Sequence, residues 1–146
     1  MKNTIGIAAD HAGYEAKEFL VGLLGAKGFE VVDYGCMSEE SIDYPDYAHA
    51  LARGIESGEV ERGVALCGSG QGMNLTLNKH TAIRATLCWN DDIAKLAREH
   101  NDSNVLVLPA RFITLDEALS MVNIWLTTPF EGGRHLARVE KITSGL

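Results

Sequence analysis

Val64-Ala65-Leu66-Cys67-Gly68-Ser69-Gly70-Gln71-Gly72 is an apolar run that ends in a cysteine, followed by glycines at every second position. A segment with helical spacing comes next. The run is short and almost wholly apolar, as in a strand buried on both faces of a parallel sheet. The glycines let the backbone approach a ligand, and the free N–H groups of the following helix point the same way, which makes an anion cradle. A thiol at the mouth of that loop is expected to lie where helix-end potential favours thiolate. The plainer reading of Cys67 is a buried structural cysteine. Two known phosphate loops fail on spacing: position 73 is Met73 where a phosphatase loop needs arginine, and no Gly-Lys-Ser/Thr follows the glycines. A dinucleotide fingerprint fits in part. Gly68, Gly70 and Gly72 are spaced two and two, and Asp91 stands at about the distance needed to hold a ribose.

Working outward, strand and helix patterns alternate. Strands are expected over Thr4–Ala9, Phe29–Tyr34, Gly63–Cys67, Ile83–Trp89 and Val105–Leu108, and helices over Tyr14–Lys27, Asp46–Ser57, Gly72–Asn78, Asp92–His100, Thr114–Thr127 and Arg134–Ile142. Thr114 with Glu117 three residues on is a capping box. This alternation implies an α/β protein, a three-layer αβα Rossmann-like fold with a five-stranded parallel sheet and an extra C-terminal helix. With strand order 2-1-3-4-5, the ligand crevice lies between strands one and three at their C-terminal ends. Asp10-His11 and Cys67 both fall there. Trp125 and Phe112 are expected in the core.

The 146 residues, 46% of them hydrophobic, suit one domain spanning 1–146. A net charge of −7 argues against a nucleic-acid partner, which needs a basic face. No apolar run approaches the ~20 residues that cross a bilayer. Met1-Lys2-Asn3-Thr4-Ile5 has no signal-peptide layout, and Cys36, Cys67 and Cys88 form no paired framework. A cytoplasmic location is therefore expected.

Three further clusters stand out. Asp10-His11 is either a helix cap beside an incidental histidine or a site for proton transfer or phosphate. His100-Asn101-Asp102 ends a helix, and His100 lies either near the same sheet edge as Cys67 or near a partner subunit. In Gly132-Gly133-Arg134-His135-Leu136-Ala137-Arg138, Arg134 and Arg138 share a helical face. Two guanidiniums beside a glycine-freed helix start make a phosphate clamp in an acidic protein; the alternative is a solvated basic helix. His49 and His80 read as surface or packing residues, and Glu15 and Glu18 as solvated charge. Tyr44 opens a helix and could line the crevice.

Several pieces occur together and in order: Asp10-His11-Ala12-Gly13, Asp43-Tyr44-Pro45, Cys67 to Gly72, Asn78-Lys79, Ile83-Arg84-Ala85, His100 to Val105, and Glu131 to His135 with Arg138. In this combination the chain, from Ile5 to Ile142, resembles the type B ribose-5-phosphate isomerases and their allose- and galactose-6-phosphate isomerase relatives. The resemblance implies an aldose–ketose isomerase working through a cis-enediolate, with no cofactor and no metal. It implies Cys67 as the base between C1 and C2, with Ser69 and the loop Gly68, Gly70, Gln71 and Gly72 holding the enediolate oxygen. It implies His100 for ring opening, and Asn101 and Asp10 on the sugar. His11, Arg111, Arg134 and Arg138 would hold the phosphate. It also implies a homodimer or homotetramer with the site shared between subunits. One branch of the family uses a glutamate base in the helix after the loop; Met73 stands there in this chain. The retained arginines favour a pentose phosphate over a hexose 6-phosphate. A non-catalytic sugar-phosphate-binding module is the alternative from another class.

Overall fold

A computed structural model describes residues 3–146; Met1 and Lys2, the start of the N-terminal stretch read above for a signal peptide, lie outside it. The elements are β1 (Thr4–Ala9), a 3-10 turn (His11–Gly13), α1 (Tyr14–Ala26), β2 (Glu30–Asp33), α2 (Tyr44–Glu56), β3 (Arg62–Cys67), α3 (Gln71–Leu77), β4 (Ala85–Leu87), α4 (Asp91–Asn101), β5 (Val105–Pro109), α5 (Leu115–Thr127) and α6 (Arg134–Ser144). All strand pairings are parallel.

The sheet order is β2-β1-β3-β5-β4, so the expected order of the last two strands is reversed. Burial explains the reversal. Val105-Leu106-Val107-Leu108-Pro109 is buried at every position and fills a place covered on both sides. Ala85-Thr86-Leu87 is three residues long and half-buried, which suits an edge. The crevice between β1 and β3 survives the change, because β1 still leads to β2 on one side and β3 on the other.

Strand alternation divides the core. Ile5, Ile7, Val64, Leu66, Leu106 and Leu108 pack with the apolar faces of α1, α4 and α5. Ala8, Ala65, Cys67, Val105 and Val107 face α2 and α3 on the other side. Each fully buried leucine contributes about 2 kcal/mol by leaving water. The capping box forms as expected: Thr114 Oγ1 accepts the Glu117 N–H, and Glu117 Oε1 accepts the Thr114 N–H. Trp125 is fully buried. Phe112 is not: it is 75% exposed, because it sits in the turn after β5 rather than on a strand or helix face.

Candidate active site

The loop after β3 closes around Cys67. Gly70 has φ +80, and a Cβ there would lie 2.4 Å from Leu87, so only glycine turns the chain into α3 at this point. The amides of Met73, Gly70 and Gly72 face the Cys67 sulfur and favour its thiolate. Burial outweighs them: the thiol is 5% exposed, and burial, with the nearby Asp10 carboxylate, holds its pKa above the ordinary 9.0. The expected thiolate-favouring field is therefore present, but it does not win in the isolated chain. Ser69 is exposed, and its hydroxyl oxygen accepts the Gln71 N–H at 3.3 Å. Gln71 is exposed as the first residue of α3.

The neighbouring strand ends bring further groups to this edge. Asp10 is 8% exposed; its Oδ1 accepts the Gly13 N–H at 3.0 Å, so the capping reading of Asp10 holds, on a 3-10 turn. His11 Nδ1 accepts the Ile42 N–H at 3.3 Å, which ties the loop before α2 to the crevice. The Tyr44 ring lies against Gly72, where a Cβ would meet it at 2.6 Å. Arg111 follows β5: its N–H bonds the Gly68 carbonyl at 3.0 Å, and its guanidinium lies 3.2 Å from where a Gly68 Cβ would be. Asp10, His11, Tyr44, Cys67, Gly68, Gly70, Gly72 and Arg111 thus share the C-terminal edge of the sheet.

His100, Asn101, Arg134 and Arg138 lie elsewhere. Helix α4 runs back against the strands, so its last turn comes to the N-terminal edge, where Asn104 bonds Arg84 and Gly63 ahead of β4 and at the start of β3. Along β5, from Val105 opposite Gly63 to Pro109 opposite Cys67, the sheet spans four residue steps, roughly 13 Å at about 3.3 Å each. No side chain bridges that distance. His100 stacks on His135, with ring centroids 4.3 Å apart and planes 15° apart. Glu131 is held beside them because its N–H bonds the Glu99 carbonyl at 3.1 Å. Arg134 and Arg138 are exposed on the first turns of α6. Burial, then His100, Arg134 and Arg138, holds the His135 imidazole below its ordinary pKa despite Glu131. Asp91, the possible ribose partner, accepts the Ser120 hydroxyl at 2.9 Å and lies on α4 rather than at the glycine loop.

Sequence reasoning missed three groups. Lys17 is completely buried, with Nζ 2.6 Å from Asp33 and 2.7 Å from Glu18. Burial alone would lower the ammonium pKa, but the two carboxylates hold it above 10.5. Asp33 Oδ1 also accepts the Gly35 N–H, so this pair braces the loop that reaches His11. The signal was spacing: Lys17 precedes Leu20 and Leu24 by three and seven residues, on the apolar face. His49, His80 and Glu56 form a hydrogen-bonded chain, at 2.7 and 2.9 Å. The third group is Glu131, His135 and His100, foreshadowed by Glu131 and His135 being four apart.

A thiol set among backbone amides at the switch point of a parallel sheet is the arrangement of an α/β enzyme. The family profile described as Ribose/Galactose Isomerase matches residues 5–142, and the chain belongs to that family of isomerases. It is 42% identical over 140 residues to the Ribose-5-phosphate isomerase B of Escherichia coli (strain K12), covering 96% of this chain and 94% of that protein. The solved structure of Clostridium thermocellum Ribose-5-Phosphate Isomerase B superposes with a TM-score of 0.95 at 45% identity, covering 97% of this chain and 95% of the other. That of Mycoplasma genitalium Ribose-5-phosphate Isomerase B with bound ribulose-5-phosphate gives 0.93 at 37% identity, with 97% and 95% covered. Among the described residues no helix is long and apolar enough to cross a membrane.

Proposed function

We propose that this chain interconverts ribose 5-phosphate and ribulose 5-phosphate, with Cys67 moving the proton between C1 and C2. The observation that carries the reading is the ring of Gly70, Gly72 and Met73 amides around the Cys67 sulfur, with Arg111 over Gly68. Its relatives in Escherichia coli and Mycoplasma genitalium support the substrate, the latter holding ribulose-5-phosphate.

The charge bookkeeping of the reaction suits this loop. As the thiolate takes the C2 proton, negative charge leaves the sulfur and appears on the enediolate oxygen beside it. The amides that faced the sulfur become donors to that oxygen, each worth about 3–4 kcal/mol in the transition state. Ser69 supplies a hydroxyl at the same mouth. A thiol whose pKa is raised by burial is also a stronger base once ionised. Asp10 contacts the open sugar, His100 assists ring opening, and Asn101 holds hydroxyls. His11, Arg111, Arg134 and Arg138 grip the phosphate, whose binding orients C1 and C2.

These roles require two copies of the chain. Cys67 and Arg111 sit at one sheet edge, His100 and Arg134 at the other, so a complete site takes each half from a different protomer of a homodimer or homotetramer. Three free cysteines suit a reducing cytoplasm.

Cys67→Ala is expected to lower kcat about 10²–10⁴-fold and to stop exchange of the C2 proton with solvent, while sugar-phosphate binding persists. Retained exchange would sink the thiol base. A rate panel of ribose 5-, allose 6- and galactose 6-phosphates tests the substrate, and preference for a hexose phosphate would overturn the ribose assignment.

A further inference from the structure

Glu131, His135 and His100 offer three ligand atoms that all lie within 4.8 Å of one another. His135 Nε2 is 3.8 Å from Glu131 Oε2. The cluster is braced: Glu131 is pinned to the Glu99 carbonyl next to His100, and His135 is 7% exposed. Gly132 and Gly133, at φ +67 and +54, turn the chain so that α6 begins directly against the end of α4. Among the described residues neither imidazole makes a hydrogen bond; the two rings stack on each other, and the Glu131 carboxylate lies beside His135.

We infer that Glu131, His135 and His100 form a site for a divalent transition-metal ion of the zinc type, and that filling it takes His100 out of use. Two imidazoles and one carboxylate are the donor set of open zinc sites, whereas magnesium and calcium take oxygen ligands. Zinc–ligand bonds of about 2.0–2.2 Å set tetrahedral ligands roughly 3.3 Å apart. Drawing the three atoms in from within 4.8 Å falls to the two less buried members, the exposed Glu131 and the half-buried His100. The rings must leave their 15° stack to converge on one ion, so binding and stacking are exclusive. Arg134 and Arg138 add positive charge nearby, which Glu131 offsets in part. The ion plays no part in isomerisation. Its effect on turnover rests on the role proposed for His100; its binding does not.

The test uses the full chain, stripped of metal by chelator and dialysis, titrated with Co²⁺ and followed by visible d–d absorption. Uptake of one Co²⁺ per chain, displaced by Zn²⁺ but not Mg²⁺, is expected. Glu131→Gln and His135→Gln each weaken binding at least about tenfold, and Cys67→Ser leaves it unchanged. Glu131 is exposed, so its variant keeps the test open if His135→Gln folds poorly. Absence of uptake, equal affinity in Glu131→Gln, or a sulfur-to-cobalt charge-transfer band lost in Cys67→Ser overturns the site. Zn²⁺ should slow turnover of the wild type and slow Glu131→Gln only at proportionately higher concentration. Lack of turnover in metal-free wild type would remove the isomerase reading, and the cobalt spectrum would still decide the site.

Discussion

The two edges of the sheet are built differently. At the C-terminal edge, Cys67 and Asp10 are buried, the loop is fixed by Gly70 and Arg111, and the chain before α2 is tied to His11. At the N-terminal edge, Arg134, Arg138 and Asn101 project into solvent around a pair of stacked imidazoles. The first edge is packed and carries Arg111 over Gly68; the second carries two exposed guanidiniums on the first turns of α6. The sheet keeps the two apart within one chain.

If the C-terminal edge owes its rigidity to the buried Lys17, removing that residue should show it most. Lys17→Ala leaves the partly exposed Asp33 and Glu18 without their ammonium and is expected to cost about 2–3 kcal/mol in denaturant unfolding. The raised ammonium pKa gives this pair a pH signature: its contribution is present below 10.5 and fades as pH rises above that value in the wild type, but not in the variant. An unfolding free energy within 1 kcal/mol of wild type would mean the edge is held some other way, about a factor of five by mass action.

The exposed edge should respond in binding rather than in stability. Arg134→Ala is expected to raise KM roughly 10–100-fold, the loss of one charge-assisted hydrogen-bonding group, with unfolding within about 0.5 kcal/mol of wild type for a surface change. A change in kcat alone, with KM intact, would place Arg134 outside the phosphate grip. The smallest effect concerns the thiol itself. Iodoacetamide modification of Cys67, followed with Cys36 and Cys88 replaced by serine, should accelerate as pH rises with a midpoint above 9.0 in the unliganded protein. A midpoint below that value would show that the loop amides outweigh burial.

Much of this was legible in the residues. Val64–Cys67 reads as a central strand because every position is apolar, and the glycines after it mark the crevice. The swap of β4 and β5 was not legible from pattern alone. Both are short apolar runs, and only the uniform burial of Val105–Pro109 against half-buried Thr86 and Leu87 separates centre from edge. Likewise the place of Cys67 follows from sequence, but the balance between amides and burial depends on how α2 and α3 close over it. Phe112 looked like core by composition and lies in a turn. For His100 the sequence leaves two places open, the sheet edge of Cys67 or a partner subunit; the run of α4 back along the sheet puts His100 and Arg134 at the opposite edge from Cys67 within one chain.

The central claim is that two copies of the chain share the site, and mixing two inactive variants tests it directly. Cys67→Ala and His100→Gln are each inactive alone by this account. Unfolded together and refolded, half the dimers pair one of each, and one of their two sites is intact, so about a quarter of wild-type activity should return. Activity no higher than the sum of the separate variants, in mixtures shown to contain the mixed dimer, would contradict it.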